Sequence, residues 1–131
     1  MDLLVLVARI LFVPIFLTSG MGHLGATDAM AGYAASKGVP SARLAVQASG
    51  LLILLGGLSV VLGIYPAYGA LALVVFCIPT AFLMHAFWKE SDPMAKMGAR
   101  TNFLKDLALA GAGLFAYALV DAGAFGVQLI K

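Results

Sequence analysis

The chain has 131 residues, of which 63% are hydrophobic and only 11% are charged, and its formal net charge is +2. A soluble domain carries about 25% charged residues, because much of the surface of a small domain faces water. The composition therefore excludes a soluble enzyme of the usual kind, a nucleic-acid-binding protein and a disordered chain. It predicts a protein whose solvent is the bilayer.

The N-terminal segment predicts a first membrane-spanning helix over residues 3–21. The segment is apolar apart from Arg9, Thr18 and Ser19, and its length suits one crossing. No basic n-region precedes the apolar residues, so we interpret the segment as a retained helix and not as a signal peptide. Pro14 lies inside the helix and is expected to bend it.

The following segment, residues 22–41, is expected to contain a short helix over residues 27–37. Thr27 or Asp28 is suited to cap its start, and Gly38 is suited to end it. Its larger apolar side chains share one face, so we expect this helix to lie at the membrane interface or over the mouth of a helical bundle.

A long apolar stretch from Leu44 to Trp88 contains no charged residue. One crossing takes about 20 residues, so this stretch holds two spanning helices. The break between them is expected near Pro66, because tyrosines on either side of it favour the headgroup level. These features predict helices over residues 42–64 and 67–87.

The fourth spanning helix is predicted over residues 103–120, although Lys105 and Asp106 interrupt the apolar pattern near its start. Residues 88–101 then form a polar loop. The sequence as a whole predicts a single integral membrane domain over residues 1–131. Its expected fold class is an all-α transmembrane four-helix bundle with a short interfacial helix between helices 1 and 2.

Positive charges are divided unevenly between the two ends of this predicted bundle. The end that carries the first and third loops holds Lys37, Arg43, Lys89, Lys96, Arg100 and Lys105. The end that carries the termini holds Arg9 and Lys131. By the positive-inside rule, loops 1 and 3 are predicted to face the cytoplasm and both termini the outside.

Polar residues of all four helices are expected to meet at the end with the first and third loops. A polar side chain inside a membrane helix is costly, so its position indicates a function or a buried partner. Helical spacing places His85 and Trp88 on one face of the third helix. The same spacing places Asn102, Lys105 and Asp106 on one face of the fourth helix. The candidate ligand-binding basin comprises His23, Gln47, His85, Trp88, Asn102, Lys105 and Asp106. The alternative is an interfacial belt, because such residues gather at any helix end.

Metal binding and nucleophilic catalysis find little support in the sequence. His23 and His85 are only two histidine ligands, and no helix carries the paired spacing that zinc and di-iron sites use. The single cysteine, Cys77, lies in an apolar run and is interpreted as a small core residue. We therefore predict no metal site and assign no catalytic residue.

At the opposite end of the bundle, Arg9 lies about two turns into the first helix and needs an anionic partner. Asp121, at the end of the fourth helix, is the expected partner. Such an Arg9–Asp121 ion pair would be structural, because it would tie the first helix to the last.

Several segments carry a resemblance to a known family. They are Arg9 to Phe12, Ser19 to His23, Ala34 to Pro40, Gly50 to Gly63, Phe82 to Trp88 and Asn102 to Gly111. In these segments the chain resembles the DoxX family of small four-helix membrane proteins, although many relatives have Lys, Glu and Asn in place of His23, Gln47 and Asp106. The resemblance implies a multi-pass protein of the bacterial inner membrane. It also suggests a link to quinone metabolism, because family members are associated with a terminal quinol oxidase, thiosulfate:quinone oxidoreduction and oxidative-stress assemblies.

The basin and the resemblance together leave three functional hypotheses, and they leave open whether the protein is an enzyme. The first is an accessory or binding protein that requires no cofactor and holds a lipid or quinone-like headgroup in the basin. The second is a quinone-dependent oxidoreductase of the thiosulfate-oxidising type, in which His85 or His23 relays protons. The third is a purely structural subunit of a larger membrane complex. The expected partners are membrane lipid and a redox or respiratory membrane protein, with no nucleic acid, and a homo-oligomer stays open.

Overall fold

Four apolar helical segments, each long enough to cross a bilayer, organise the computed structural model, which describes residues 1–131. The first crossing, Asp2–Gly25, is made of two consecutive helices, α1 (Asp2–Phe12) and α2 (Pro14–Gly25). In chain order these are followed by α3 (Thr27–Ser36), α4 (Ala42–Leu62), α5 (Pro66–Met84) and α6 (Pro93–Asp121). The predicted all-α fold with four spanning helices is confirmed.

The break between α1 and α2 has a local cause in Pro14. Proline has no backbone N–H, so the carbonyl of Ile10 loses its helical hydrogen bond. Val13 keeps helical dihedral angles (φ −80°, ψ −30°), and the Leu17 N–H donates to the Val13 carbonyl at 3.2 Å. The first crossing is therefore interrupted at Pro14 without leaving the helical path.

A short helix, α3, forms within the predicted segment and packs against α4. The side chains expected to cap its start do not do so. Thr27 Oγ1 donates back to the His23 carbonyl at 2.7 Å, and Asp28 pairs with Arg43. Gly38 follows the helix in a left-handed conformation (φ +86°), which glycine adopts without strain. The location of α3 at a membrane interface stays a prediction.

The helix boundaries around the third loop differ from the prediction. α5 ends at Met84 instead of residue 87, and α6 begins at Pro93 instead of residue 103. The early start of α6 has a local cause, because the Asp92 side chain accepts a hydrogen bond from the Ala95 N–H at 2.9 Å and a proline fits the first turn. The 29 residues of α6 extend over about 43 Å at about 1.5 Å each, so part of the helix projects beyond a hydrocarbon core about 30 Å thick.

The helices pack in chain order, with α2 on α4, α4 on α5 and α5 on α6. Glycines permit the closest approach of α2 and α4. A Cβ on Gly50 would lie 2.5 Å from the Cβ of His23, and one on Gly20 would lie 2.9 Å from the Gly50 carbonyl oxygen. The buried centre is apolar, whereas many leucines on the outer faces are exposed, as expected of surfaces that contact lipid.

The C-terminal segment after α6 closes the end of the bundle away from α3. The Ile130 N–H donates to the Gly63 carbonyl at 3.1 Å, and the Tyr65 N–H donates to the Ile130 carbonyl at 2.8 Å. The Phe125 side chain of this segment is fully buried. Both chain termini lie at this end, because the chain makes an even number of crossings.

Candidate functional site

A cavity of about 920 Å³ lies at the end of the bundle that carries α3. Its walls come from α2, α3, α4, α5 and α6, and most of the lining residues are hydrophobic. The polar lining residues are Ser19, His23, Tyr33, Ser49, Thr80, His85, Lys105 and Asp106. Small-molecule sites in proteins have a similar character, with volumes of about 300–1,000 Å³ and a few polar groups in apolar walls.

His85 and Asp106 form a polar pair at the cavity wall. His85 follows the last residue of α5, and its Nε2 lies 3.4 Å from Oδ2 of Asp106 on α6. Asp106 is only 4% exposed, and its Oδ2 makes no hydrogen bond. Because a buried carboxylate oxygen without a donor is costly, the imidazole N–H is its natural partner.

Lys105 supplies positive charge next to this pair. Its Nζ lies 3.8 Å from Oδ1 of Asp106 and donates a hydrogen bond to Oδ1 of Asn102 at 3.4 Å. The three side chains that the sequence placed on one face of the fourth helix therefore lie together. Asn102 itself does not line the cavity, so its contact with the site passes through Lys105.

His23 is held by hydrogen bonds from α2 to α4. Its Nδ1 lies 3.0 Å from Oγ of Ser49 and 3.2 Å from the Val46 carbonyl oxygen. The ring also packs edge-on against Phe76, with 5.8 Å between the ring centroids. Ser49 is a site residue that the sequence interpretation missed. The sequence feature that indicates Ser49 is its position next to Gly50, on the side of α4 where small and apolar residues are buried.

Gln47 does not belong to the cavity, contrary to the prediction. Residues two positions apart in a helix point in nearly opposite directions, because each residue turns the helix by about 100°. Ser49 lies at the cavity, and Gln47 is therefore exposed on the outer side of α4.

Trp88 also lies outside the cavity, contrary to the prediction. Its expected position on the face of His85 required a continuous helix, but α5 ends at Met84 and the chain turns through a 3-10 helix, Phe87–Lys89. The indole instead packs edge-on against Phe103, with 5.6 Å between the ring centroids.

Two ion pairs hold α3 against the cavity. Asp28 near its start pairs with Arg43 of α4, and Lys37 just after its end pairs with Glu90 at 3.1 Å. The second pair joins the first loop to the third. The hydrogen bond to Glu90 raises the pKa of Lys37 above its usual value, so the ammonium stays charged at neutral pH.

Arg9, at the far end of the bundle, does not pair with Asp121 as predicted. Its guanidinium donates from Nε to the Val60 carbonyl at 2.9 Å, from Nη2 to the Val61 carbonyl at 2.7 Å and from Nη1 to the Val127 carbonyl at 2.7 Å. Two of these carbonyls lie in the last turn of α4, where they have no helical donor and carry the negative end of the helix dipole. Backbone oxygens therefore take the place of the expected carboxylate, and Asp121 is exposed.

Hydrogen bonding to an organic ligand is the chemistry that these polar groups support. They offer two imidazoles, several hydroxyls, a carboxylate and an ammonium group. No three His, Cys, Asp or Glu side chains lie close enough together to hold one metal ion. Cys77 is buried in the apolar core.

The sequence matches the model of the DoxX family over residues 4–86. The chain belongs to the DoxX family. The match covers most of the first three crossings and includes His23 and His85, whereas α6 lies outside it.

Two inner membrane proteins of Escherichia coli strain K12 are similar to this DoxX-family chain over nearly its whole length. Inner membrane protein YqjF is 33% identical over 130 residues, which cover 97% of the chain and 91% of the relative. Inner membrane protein YphA is 28% identical over 125 residues, which cover 95% and 88%. No solved structure matches the chain. With its four apolar crossings and these relatives, the chain is a multi-pass inner membrane protein.

Proposed function

We propose that this DoxX-family protein is an accessory or binding protein of the inner membrane that holds a lipid or a quinone-like molecule in its cavity. The polar headgroup binds near His85 and Asp106, and the tail lies along the apolar walls. In this role the protein carries its ligand within the membrane and presents it to a redox or respiratory partner.

The cavity is the observation that carries the proposal. Its volume of about 920 Å³ suits a lipid-sized headgroup with part of its tail, and its walls are apolar apart from a few groups. Water gains few hydrogen bonds along such walls, whereas an alkyl or isoprenoid chain contacts them without losing any. An apolar molecule with one polar end fits this distribution.

The polar groups indicate where the headgroup binds. The His85 imidazole and the Lys105 ammonium lie next to the same buried carboxylate, and both line the cavity. An ammonium donates to hydroxyls, ring carbonyls and phosphate oxygens, and an imidazole forms a hydrogen bond with a hydroxyl in either of its neutral tautomers. His23 already makes hydrogen bonds to α4, so it is a weaker candidate for the headgroup contact.

Extraction of the purified protein tests the proposal. Protein purified in a mild detergent is extracted with organic solvent, and the extract is analysed by mass spectrometry against prenylquinone and phospholipid standards. We expect about one bound molecule per chain in the wild type. Its identity decides whether the ligand is a phospholipid or a quinone-like molecule.

Two variants make this experiment specific to the cavity. Ser49→Phe/Thr80→Phe adds two rings to the walls contributed by α4 and α5, and it should remove most of the bound molecule. Gln47→Ala, on the outer side of α4, is the matched control and should retain it. A wild-type extract that holds no more than that of an unrelated membrane protein purified in the same way would contradict the proposal.

We also propose that α3 and the third loop face the cytoplasm. Lys37, Lys89, Lys96 and Arg100 lie at this end, whereas the opposite end offers Lys131. Arg9 is buried against backbone carbonyls and does not act as a loop charge there. This distribution follows the positive-inside rule.

Single-cysteine labelling tests this orientation. In a Cys77→Ala background, Lys131→Cys should react with a membrane-impermeant maleimide in intact spheroplasts. Ser36→Cys should react only after the membrane is opened. The reverse labelling pattern would show that the termini face the cytoplasm.

A further inference from the structure

We propose that the cavity selects an apolar molecule whose headgroup carries a hydroxyl group, because the His85–Asp106 pair presents a proton-accepting nitrogen to it. This inference rests on the proposed function and names the class of ligand. The favoured ligands are long-chain phenols, quinols and alcohols, and the disfavoured ones are ethers, ketones and quinones of the same shape.

Oδ2 of Asp106 influences which nitrogen of the His85 ring carries the proton. Nε2 lies 3.4 Å from Oδ2 of Asp106, a buried oxygen that makes no hydrogen bond. Leaving such an acceptor without a donor costs more than an ordinary hydrogen bond contributes. The neutral tautomer with its proton on Nε2 places an N–H beside this oxygen, and the carboxylate attracts that proton, so Asp106 favours this tautomer.

Lys105 favours the neutral form of the His85 imidazole. Lys105 Nζ lies 3.8 Å from Oδ1 of Asp106, so an ammonium group already balances the carboxylate. A protonated imidazole would bring a second positive charge to the same carboxylate, and the two cations would repel each other. The arrangement therefore favours a neutral His85 whose proton lies on the side of Asp106.

The other ring nitrogen of His85, Nδ1, is left to contact a ligand. Nδ1 of His85 has no hydrogen-bond partner within the protein, yet it is not sealed off in the way that Oδ2 of Asp106 is. His85 lines the cavity. An unprotonated imidazole nitrogen accepts hydrogen bonds and donates none, so a headgroup that meets Nδ1 has to bring the proton itself.

Asp106 is a positioning residue in this account, because it acts on the ligand through His85. Its effect is on the choice between ligands more than on the strength of binding. A hydroxyl gains the hydrogen bond to Nδ1, whereas an ether or carbonyl oxygen at the same place meets a lone pair. The site therefore discriminates between ligands through Nδ1 of His85. A ligand without a hydroxyl leaves this acceptor unpaired, which costs binding energy.

A matched pair of probes tests the selectivity. 4-Nonylphenol and 4-nonylanisole share a ring and a tail, but the first carries a hydroxyl and the second a methyl ether. Binding of each radiolabelled probe to wild-type protein in lipid nanodiscs is measured by equilibrium dialysis, with empty nanodiscs as the blank for partitioning. We expect the phenol to bind about tenfold more tightly than the anisole.

The outcomes separate this inference from the proposed function. Equal binding of the two probes, or tighter binding of the anisole, would overturn the hydroxyl selectivity and leave the cavity as a binding site. Failure of both probes to bind above the blank would overturn the proposed function and the inference with it.

The Asp106→Asn variant tests the route through His85. An asparagine side chain offers either a donor or an acceptor to Nε2 and so no longer fixes the tautomer. We expect the preference for the phenol to fall below about threefold, while the affinity for the anisole changes by less than about twofold. Equal weakening of both probes would point to a merely structural role, and Gln47→Ala should keep the wild-type preference.

A measurement on the wild type covers the case in which Asp106→Asn fails to fold. In protein labelled with ¹⁵N-histidine, the nitrogen shifts report which ring nitrogen carries the proton, and a His23→Gln sample assigns the two residues. We expect His85 to be protonated on Nε2 only. A proton on Nδ1, alone or on both nitrogens, would overturn the inference.

Discussion

Arg9 is the clearest case in this chain of a charged residue whose partner is the backbone. The guanidinium donates to three carbonyls and lies over the Phe125 ring, with Cζ 4.6 Å from the centroid. Its planar group with five donors can reach carbonyls of α4 and of the C-terminal segment at once, which a lysine ammonium with its compact geometry does less well. Arg9 therefore joins the first crossing, the end of α4 and the C-terminal segment.

Replacing Arg9 tests this role at the level of one residue. Arg9→Gln leaves at least one of the three carbonyls without a donor and removes the charge, so we expect the free energy of unfolding in detergent to fall by about 3 kcal/mol or more. Asp121→Asn is the control, because Asp121 is exposed and does not contact Arg9. A comparable loss of unfolding free energy in Asp121→Asn would indicate that Arg9 pairs with Asp121 after all. It would contradict the assignment of backbone carbonyls as the partners of Arg9.

The sequence indicates that Arg9, Gln47 and His85 need partners, because polar groups in apolar helices are costly. It did not identify the partners themselves. Partners of Arg9 are backbone oxygens, which no side-chain pattern displays, and Ser49 was overlooked in favour of the larger Gln47. The choice between those two depends on which face of α4 is buried, and glycines set that face.

At the scale of the helix, Gly50 determines how closely α2 approaches α4. A Cβ at this position would lie 2.5 Å from the Cβ of His23 and 3.3 Å from the Gly20 carbonyl oxygen. Neither neighbour is the free end of a flexible side chain, so the two helices would have to separate. The same separation would disturb the hydrogen bonds of His23 to α4.

We expect Gly50→Ala to destabilise the folded protein in detergent by about 1–3 kcal/mol, because it overpacks a close helix contact. The matched control is Gly111→Ala on α6, where nothing lies within 4 Å of an added Cβ and alanine favours the helix by up to about 1 kcal/mol. Thermal unfolding of both variants measures the difference. An unchanged Gly50→Ala melting temperature would mean that α2 and α4 are less tightly packed than described.

Ion pairs at its two ends, Asp28–Arg43 and Lys37–Glu90, hold α3 against the bundle. Removing one of these charges should therefore loosen the helix. Lys37→Ala should speed hydrogen exchange of the α3 amides several-fold and leave the melting temperature nearly unchanged, because an ion pair between partly exposed surface side chains contributes little to global stability. Lys96→Ala on α6 is a control of the same type. Equal hydrogen exchange of the α3 amides in the wild type, Lys37→Ala and Lys96→Ala would show that apolar contacts alone hold α3 in place.

The same ion pair has a defined pH dependence. The pKa of Lys37 is raised by its hydrogen bond to Glu90, so the contact is fully present below the usual pKa of a lysine and is lost as the pH rises through the raised value. Protection of the α3 amides should therefore be constant through the neutral range and fall only in strongly alkaline solution.

The element boundaries show which local signals the apolar pattern overlooks. Four crossings followed from the lengths of the apolar segments, but the start of α6 depended on a cap. The Asp92-Pro93 pair begins that helix within a stretch that is too polar to be recognised as spanning. α5 likewise ends earlier than the apolar pattern predicts, at Met84. Trp88 is therefore not on the face of a continuous helix with His85, contrary to what the spacing predicts.

At the scale of the whole molecule, the two ends of the bundle differ in kind. One end is closed by the C-terminal segment, by the buried Phe125 and by the carbonyl contacts of Arg9. The other end holds a cavity beneath α3, with polar groups from α2, α4, the end of α5 and α6. The composition predicts the membrane, and several of the few polar residues lie at the end that holds the cavity, whereas the cavity itself arises from tertiary packing that no single segment displays.

An experimental structure of the wild-type protein in lipid nanodiscs tests the central claim most directly. We predict elongated density in the cavity between His23, Ser49 and His85, with its polar end within hydrogen-bond distance of the His85 ring. The Ser49→Phe/Thr80→Phe variant should lack that density and keep the four-helix bundle. A wild-type cavity that contains only water, or that has collapsed so that α3 and α5 touch, would contradict the account.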